Sequence, residues 1–552
     1  MPNNEPVAWW RKGTIYQIYP RSFCDSSNRG WGDIQGIRRH LPHIASLGID
    51  AIWISPFFKS PMKDFGYDVE NHRQVDPMFG TTEEFEQLIA DAQKLNIKIM
   101  VDLVLSHVSD AHPWFKEACK GRDNEYSDCF IWADPKPDGT PPNNWLSIFG
   151  GSAWTWNTTR KQYYLHNFLK SQPDLNFHNP RVREEALSIA RYWLERGVTG
   201  FRLDTANFYF HDQQLRDNPP TTAGAGFMAQ ETNPYNYQEH VYDKNQPETL
   251  LFLSELGALT KQFPQAVTLG EIGAVAHRAW GLINEYTQEN RLSLCYTFDL
   301  LGERFSAAYL RMVIQRTIKE APDTWPCWAF SNHDVPRSAS RLASNGASTD
   351  KIARLSTAIL LSLRGTPCLY QGEELGLTEV QVPYEKLQDP YGITFWPDYK
   401  GRDGCRTPMP WNHAESMCGF TQAQDTWLPI PPEHVEQAAS KQENDPTSVL
   451  NYCRRMFALR RQEDCLSSGD FSMLTGTDAI LAYQRGANGA TIRCYFNLSA
   501  EPVALQDSTL GRAQMFDGST KEWQPSPTSL ILQPWTWVWL KQSQLGAVKQ
   551  TV

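Results

Sequence analysis

No stretch of the 552 residues reaches the ~20 consecutive apolar positions needed to span a bilayer, and Met1 to Gly13 holds no apolar run of the secretion-signal kind. No membrane-spanning helix is expected on that ground, and a soluble, cytoplasmic protein is expected, with periplasmic export the lesser alternative. Positive charge is also short. With 52 basic against 62 acidic residues the formal charge is -10, which repels nucleic acid and anionic membranes but leaves a neutral ligand unaffected. The 11 cysteines form no Cys-x-x-Cys pair and are odd in number, so neither a zinc cluster nor a complete disulfide framework is expected. Free thiols in a reducing compartment are the simpler reading. No internal repeat or low-complexity tract is present, and a hydrophobic share of 41% with 21% charged residues provides for a large globular core.

Short runs rich in β-branched and aromatic residues alternate with helical patterns, as in βαβ units built on a parallel sheet. Eight runs are candidate strands: Ile15 to Tyr19, Ala51 to Ser55, Lys98 to Leu103, Gly200 to Asp204, Ala266 to Glu271, Leu294 to Phe298, Cys327 to Ser331 and Pro367 to Tyr370. Between the first two, Ile34, Ile37, Leu41, Ile44 and Leu47 recur at helical spacing up to Gly48. Thr81-Thr82-Glu83-Glu84 signals another helix start. The predicted fold is an α/β protein with a (β/α)₈ barrel. Residues 1–105 and 173–466 form the barrel. Residues 106–172, crowded with Pro, Gly, Asn and aromatics, form a small domain inserted after strand three. Residues 467–552, with short alternating runs such as Ala479 to Gln484, Thr491 to Phe496 and Ser529 to Leu532, form an all-β terminal domain. A second irregular stretch, about 372–432, follows strand eight.

A barrel gathers the C-terminal ends of its strands at one mouth, so polar residues there warrant weighing. Strand three runs through Asp102 to Ser106-His107, and strand four ends Arg202-Leu203-Asp204-Thr205. Strand five ends at Glu271, and strand seven at Asn332-His333-Asp334. Any one of these acids alone reads as a cap and either His as a satisfied structural group. Three acids, two His and an Arg converging on one mouth read as chemistry.

On these segments the sequence resembles glycoside hydrolase family 13, the α-amylase family, in its branch of α-glucosidases and oligo-1,6-glucosidases. The resemblance covers nearly the whole chain. It includes Gln172-Pro173-Asp174-Leu175-Asn176 and the branch-like Arg402-Asp403-Gly404-Cys405-Arg406-Thr407-Pro408-Met409-Pro410-Trp411. It implies Asp204 as nucleophile, Glu271 as general acid/base and Asp334 as transition-state stabiliser. By the same match Arg202 orients Asp204, His107 and His333 bind hydroxyls, and Tyr67 of Asp64-Phe65-Gly66-Tyr67-Asp68 stacks under the ring, with Asp68 supporting the network. Asp64 and Arg402 hold the non-reducing end and close the site into a pocket for short substrates. In the branch, Val after the nucleophile goes with α-1,6 activity and smaller or polar residues with α-1,4; Thr205 therefore points to maltose-like α-1,4 substrates. A small neutral sugar also suits the charge and the 20 Trp, whose flat rings stack on sugars as readily as they fill cores.

The implied activity is a retaining, exo-acting α-glucosidase, with a transglucosylase using maltose or sucrose as the alternative, since both share a glucosyl-enzyme. Inactive membrane-partner subunits of the family lack acids of the triad and carry an anchor; this sequence has all three acids and no anchor. An unrelated phosphate-binding barrel would want a basic or Gly-rich loop near strands seven and eight, whereas Arg364 to Glu374 ends in Glu373-Glu374. Many relatives carry a calcium loop of the form Asp-x-Asn-x-Asp-x-x-x-Asp after strand one. Here Asp25 and Asp33 remain, but Ser27 and Arg29 replace two oxygen donors. No metal and no cofactor are expected, with a small cation at Asp25 and Asp33 left open, and the sequence does not fix an oligomeric state.

Overall fold

The computed structural model describes residues 8–221, 232–274, 276–343, 346–506 and 529–543, with residues 229, 514–515 and 523–525 between them. Eight parallel strands carry the core: β1 (Ile15–Ile18), β2 (Ala51–Ile54), β3 (Lys98–Leu103), β4 (Gly200–Leu203), β5 (Val267–Glu271), β6 (Leu294–Tyr296), β7 (Cys327–Trp328) and β8 (Thr366–Tyr370). They pair in the order β6-β5-β4-β3-β2-β1-β8-β7, which is a (β/α)₈ barrel opened along the seam between β6 and β7. Each strand lies within, or one residue outside, the run expected from sequence.

Strand alternation sorts these side chains into two cores. Tyr16, Ile18, Ile52, Ile54, Val101, Leu103, Phe201 and Leu203 join the cluster that packs under the helices. Ile15, Ala51, Trp53, Met100, Val267, Leu269, Leu294, Tyr296, Cys327 and Cys368 fill the barrel interior. The period of two therefore aims Gln17, Asp102, Arg202, Asp204 and Glu271 along the interior as well, at the C-terminal ends of their strands, where the mouth opens.

The helical run after β1 is broken into Ile34–Arg39 and Leu41–Leu47, because Pro42 has no amide hydrogen to continue the ladder through His40. All five periodic residues are nonetheless buried, and Gly48 caps the second helix in the left-handed conformation (φ 80°). Thr81 and Glu84 form the expected capping box on Thr82–Lys94.

Between β3 and β4 a short helix, Pro113–Ala118, accompanies a three-stranded antiparallel sheet of Trp132–Ala133, Trp154–Asn157 and Gln162–Leu165. After the barrel come two antiparallel sheets. The larger contains Ile480–Ala487, Ala490–Asn497 and Trp537–Ser543, and the smaller contains Ser529–Leu532. The three runs expected to be strands in this region overlap these strands. Among the described residues, no helix is long and apolar enough to cross a membrane.

Candidate active site

The barrel mouth is organised around one guanidinium. Arg202 is fully buried, and its Nη1 donates to Asp204 Oδ1 at 2.6 Å and to Asp102 Oδ1 at 2.9 Å. Its Nη2 donates to the Tyr296 hydroxyl at 3.0 Å and lies 2.6 Å from Glu271 Oε1. Arg202 and Asp204 are two apart on an extended segment, hence on one face, while Asp102 faces Arg202 from the paired position of β3. Glu271 arrives from the end of β5, with its Oε1 accepting from the Tyr296 hydroxyl at 2.9 Å and its Oε2 from the Thr205 amide at 3.1 Å. That amide is aimed by an unusual backbone: Thr205 has φ 38°, a left-handed value that β-branched residues seldom adopt. The Thr205 hydroxyl lies 3.3 Å from Asp204 Oδ2 and 3.2 Å from the Ser106 hydroxyl.

Three acids, all buried, thus share one cation. Burial pushes Asp204 and Glu271 up to about 7 and Asp102 up to about 6, while Arg202 pulls each back down. Near neutrality the cluster retains a proton, and the acids titrate as a coupled set.

Asp334 sits apart from this set, with its side chain 31% exposed at the mouth. Oδ1 accepts from Arg402 at 3.2 Å and Arg406 at 3.0 Å, and Oδ2 lies 3.3 Å from His333 Nε2. Desolvation would raise its carboxyl, but the facing His333, Arg402 and Arg406 outweigh it and hold Asp334 well below the usual range. It is a fixed anion beside acids that are not.

Arg402 closes one side. It donates to Asp64 Oδ1 at 2.9 Å and forks onto Asp389 at 2.8 and 3.1 Å, while Gln172 supplies a second donor to Asp64 at 3.0 Å. Tyr67 lies parallel to His333, with ring centroids 5.3 Å apart, and donates its hydroxyl to Asp102 at 3.0 Å. His107 is buried with Nε2 3.0 Å from the Tyr67 carbonyl and Nδ1 3.0 Å from the Ser106 hydroxyl. Burial lowers its imidazole to about 4, so it is neutral. Asp68 does not reach the acids. It accepts from the Ser60 hydroxyl and the amides of Lys63 and Asp64, bracing the loop that presents Asp64 and Tyr67.

All ten residues singled out from sequence therefore lie in one connected network, together with several that were not. The sequence gives Asp102 no role, Tyr296 and Asp389 lie outside every motif, and Arg406 is only part of a signature. For Asp102 and Tyr296 a signal existed: each is an inward-facing position at the mouth end of its strand. For Asp389 there was none, because only the fold of the loop after β8 brings it to Arg402.

The degenerate cation loop is already furnished with donors. Asp25 accepts from the amides of Ser27, Arg29 and Gly30 and from the Thr421 hydroxyl. Asp33 accepts from the Ser26 and Ser27 hydroxyls and caps the following helix through the Gly36 amide. The Arg29 guanidinium stands 3.8 Å from Asp33. Among the described residues no group of three or more His, Cys, Asp or Glu is placed to hold a metal ion.

Comparison with known proteins agrees with this geometry. A probable alpha-glucosidase of Rhizobium meliloti (strain 1021) is 52% identical over 515 residues, covering 92% of this chain and 93% of that protein. The oligo-1,6-glucosidase of Parageobacillus thermoglucosidasius is 35% identical over 501 residues, covering 85% and 87%. The crystal structure of the alpha-glucosyl transfer enzyme XgtA superposes with a TM-score of 0.94 at 48% identity, over 97% of this chain and all of that one. The alpha-amylase catalytic-domain model matches residues 17–469. With that match running from within the first strand past the eighth and taking in every residue of the network described above, the chain belongs to the alpha-amylase family and is a glycoside hydrolase.

Proposed function

We propose that the protein is a retaining, exo-acting α-glucosidase that cleaves short α-glucosides, with α-1,4 linkages preferred. One observation carries the reading: a single guanidinium grips Asp204 and Glu271, one on each terminal nitrogen. That arrangement favours the close carboxyl pair of retaining enzymes, ~5 to 5.5 Å apart, over the wider inverting pair, which leaves room for a water between. With the proton that the cluster retains placed on Glu271, Asp204 as the carboxylate attacks the anomeric carbon. Glu271 gives its proton to the departing glycosidic oxygen, and a covalent glucosyl-enzyme results. Glu271, now a carboxylate, takes a proton from water, whose oxygen displaces Asp204 and releases glucose with its configuration retained. Asp334 is held ionised and partly exposed, suited to gripping hydroxyls as positive charge develops on the ring. The Asp64–Arg402 pair shuts the non-reducing side, which supports exo action on short chains. The polar Thr205 supports the α-1,4 preference. All eleven cysteines are unpaired, which supports a cytoplasmic location.

The second reading is a transglucosylase, favoured by the likeness to the alpha-glucosyl transfer enzyme at 48% identity. It uses the same glucosyl-enzyme and differs only in which hydroxyl accepts. Incubation with maltose, isomaltose and sucrose, followed by NMR of products and anomeric configuration, separates the two. Glucose released as the α-anomer is expected for hydrolysis, new glucosides for transfer, and net inversion refutes both. Glu271→Gln should spare glucosylation by substrates with acidic leaving groups far more than by maltose. Equal loss on both removes Glu271 from the donor role.

A further inference from the structure

We infer that Gln17 is a positioning residue that fixes the tautomer of His333, so that the imidazole carries its proton on Nε2, facing Tyr67 and Asp334. The inference rests on the proposed function and deepens it, because it concerns how the hydrogen-bond chain that runs through His333 to Asp102 is set in one direction.

Gln17 is a fully buried amide on β1, inward-facing at the mouth end, and neither the motifs nor the mechanism uses it. Its Nε2 lies 2.8 Å from His333 Nδ1 and 3.1 Å from the Ser55 hydroxyl. Aromatic neighbours hold the plane of the ring. Tyr19 stacks on it at 25° with centroids 5.8 Å apart, while Tyr67 meets it edge to edge, the two rings parallel to within 3° and the Tyr67 hydroxyl oxygen 2.5 Å from Nε2. These contacts fix the plane of the ring but not which nitrogen bears hydrogen.

The surroundings decide that. Nε2 is 2.5 Å from the Tyr67 oxygen and 3.3 Å from Asp334 Oδ2. Tyr67 has one hydroxyl hydrogen, and that donates to Asp102. The hydroxyl can therefore meet Nε2 only as an acceptor, and the Asp334 carboxylate likewise calls for a donor. With hydrogen on Nε2, Nδ1 is a bare lone pair in a buried site, and an amide N–H is the partner it needs. The donors then run in one direction, from Gln17 to His333 to Tyr67 to Asp102. The opposite tautomer would set two acceptors against each other at Asp334 and strip Asp102 of its Tyr67 donor. Burial, with Arg406, Arg202 and Arg402 nearby, holds the imidazole well below its usual value despite Asp334, so tautomer rather than charge is the variable.

The test uses the full chain labelled with ¹³C and ¹⁵N at histidine, with the His333 signals assigned by their loss in His333→Asn. In the wild type, ring shifts are expected to show the Nε2-protonated form from pH 5.5 to 8. Gln17→Glu replaces the donor with a carboxylate, so His333 should convert to a form protonated on Nδ1. Gln17→Met, close in shape, should leave no preferred tautomer. Both variants should keep the wild-type thermal midpoint within a few degrees and lose about 10-fold or more in kcat/KM on 4-nitrophenyl α-glucoside, the scale known for partners that orient metal-bound imidazoles. An Nδ1-protonated His333 in the wild type overturns the inference whatever the variants do. So does a His333 spectrum unchanged by Gln17→Glu. Failure of the wild type to turn over any α-glucoside would instead sink the proposed function, and the tautomer measurement would still decide the role of Gln17.

Discussion

Replacing Arg202 with Met tests the electrostatics on which the site is built. Met keeps length and apolar packing but removes what is, among the described residues, the only cation within 3 Å of Asp102, Asp204 and Glu271. Two like charges 4 Å apart repel by ~4 kcal/mol at an effective dielectric constant of 20, so three carboxylates cannot all stay ionised without it. Removing one partner of a buried ion pair costs about 3 to 5 kcal/mol, and that loss is expected in the unfolding free energy at pH 8.

Its pH dependence is the sharper test. The wild-type acids already sit high, at about 7 for Asp204 and Glu271 and about 6 for Asp102, because burial outweighs Arg202. Without Arg202 they rise further. A carboxyl raised above its unfolded value favours folding below that value and loses the advantage as pH climbs through the folded one. The destabilisation should therefore be small near pH 5, where the acids are protonated in the variant, and complete only above pH 7. Urea unfolding of both proteins at pH 5 and pH 8, with unchanged slopes, measures it. An equal loss at the two pH values, or a larger one at pH 5, would show that Arg202 matters for packing and not for charge.

Three further outcomes are expected. Tyr296→Phe removes a donor to Glu271 Oε1, which destabilises the carboxylate and raises its pKa; the proton donor stays loaded to higher pH, and the alkaline limb of kcat/KM moves upward in a pH–rate profile. Arg402→Ala leaves Asp64 and Asp389 without their shared cation and opens the closed side, so KM for maltose should rise by about 10-fold or more while longer maltooligosaccharides lose less, as read from initial rates. Thr205→Val keeps the branched β-carbon that this strained position already accommodates but deletes the hydroxyl beside Asp204; the isomaltose-to-maltose ratio of kcat/KM should rise, by no more than the ~10- to 200-fold that one small group decides.

Much of this molecule was legible before any coordinates. Short runs rich in β-branched and aromatic residues, separated by longer helical patterns, named all eight strands, because length and residue type tell a buried strand from a helix where periodicity in a short apolar run does not. Asp204, Glu271 and Asp334 stood out because a barrel brings strand ends together however far apart they lie in sequence. Pro42 marks the break at His40, but the apolar spacing continues through it and reads as one helix.

The sequence alone determined the barrel, the mouth and the kinds of group at it, because strand periodicity and strand order are local properties summed along the chain. Tertiary structure alone decided how those groups share protons and charge. Asp389 meets Arg402, Tyr296 meets Glu271, and Gln17 meets His333 across 13, 25 and 316 positions of chain. No local pattern encodes such meetings. Burial then raises some of these carboxyls while facing guanidinium groups lower another, and that balance exists only once water has been excluded from the space between them.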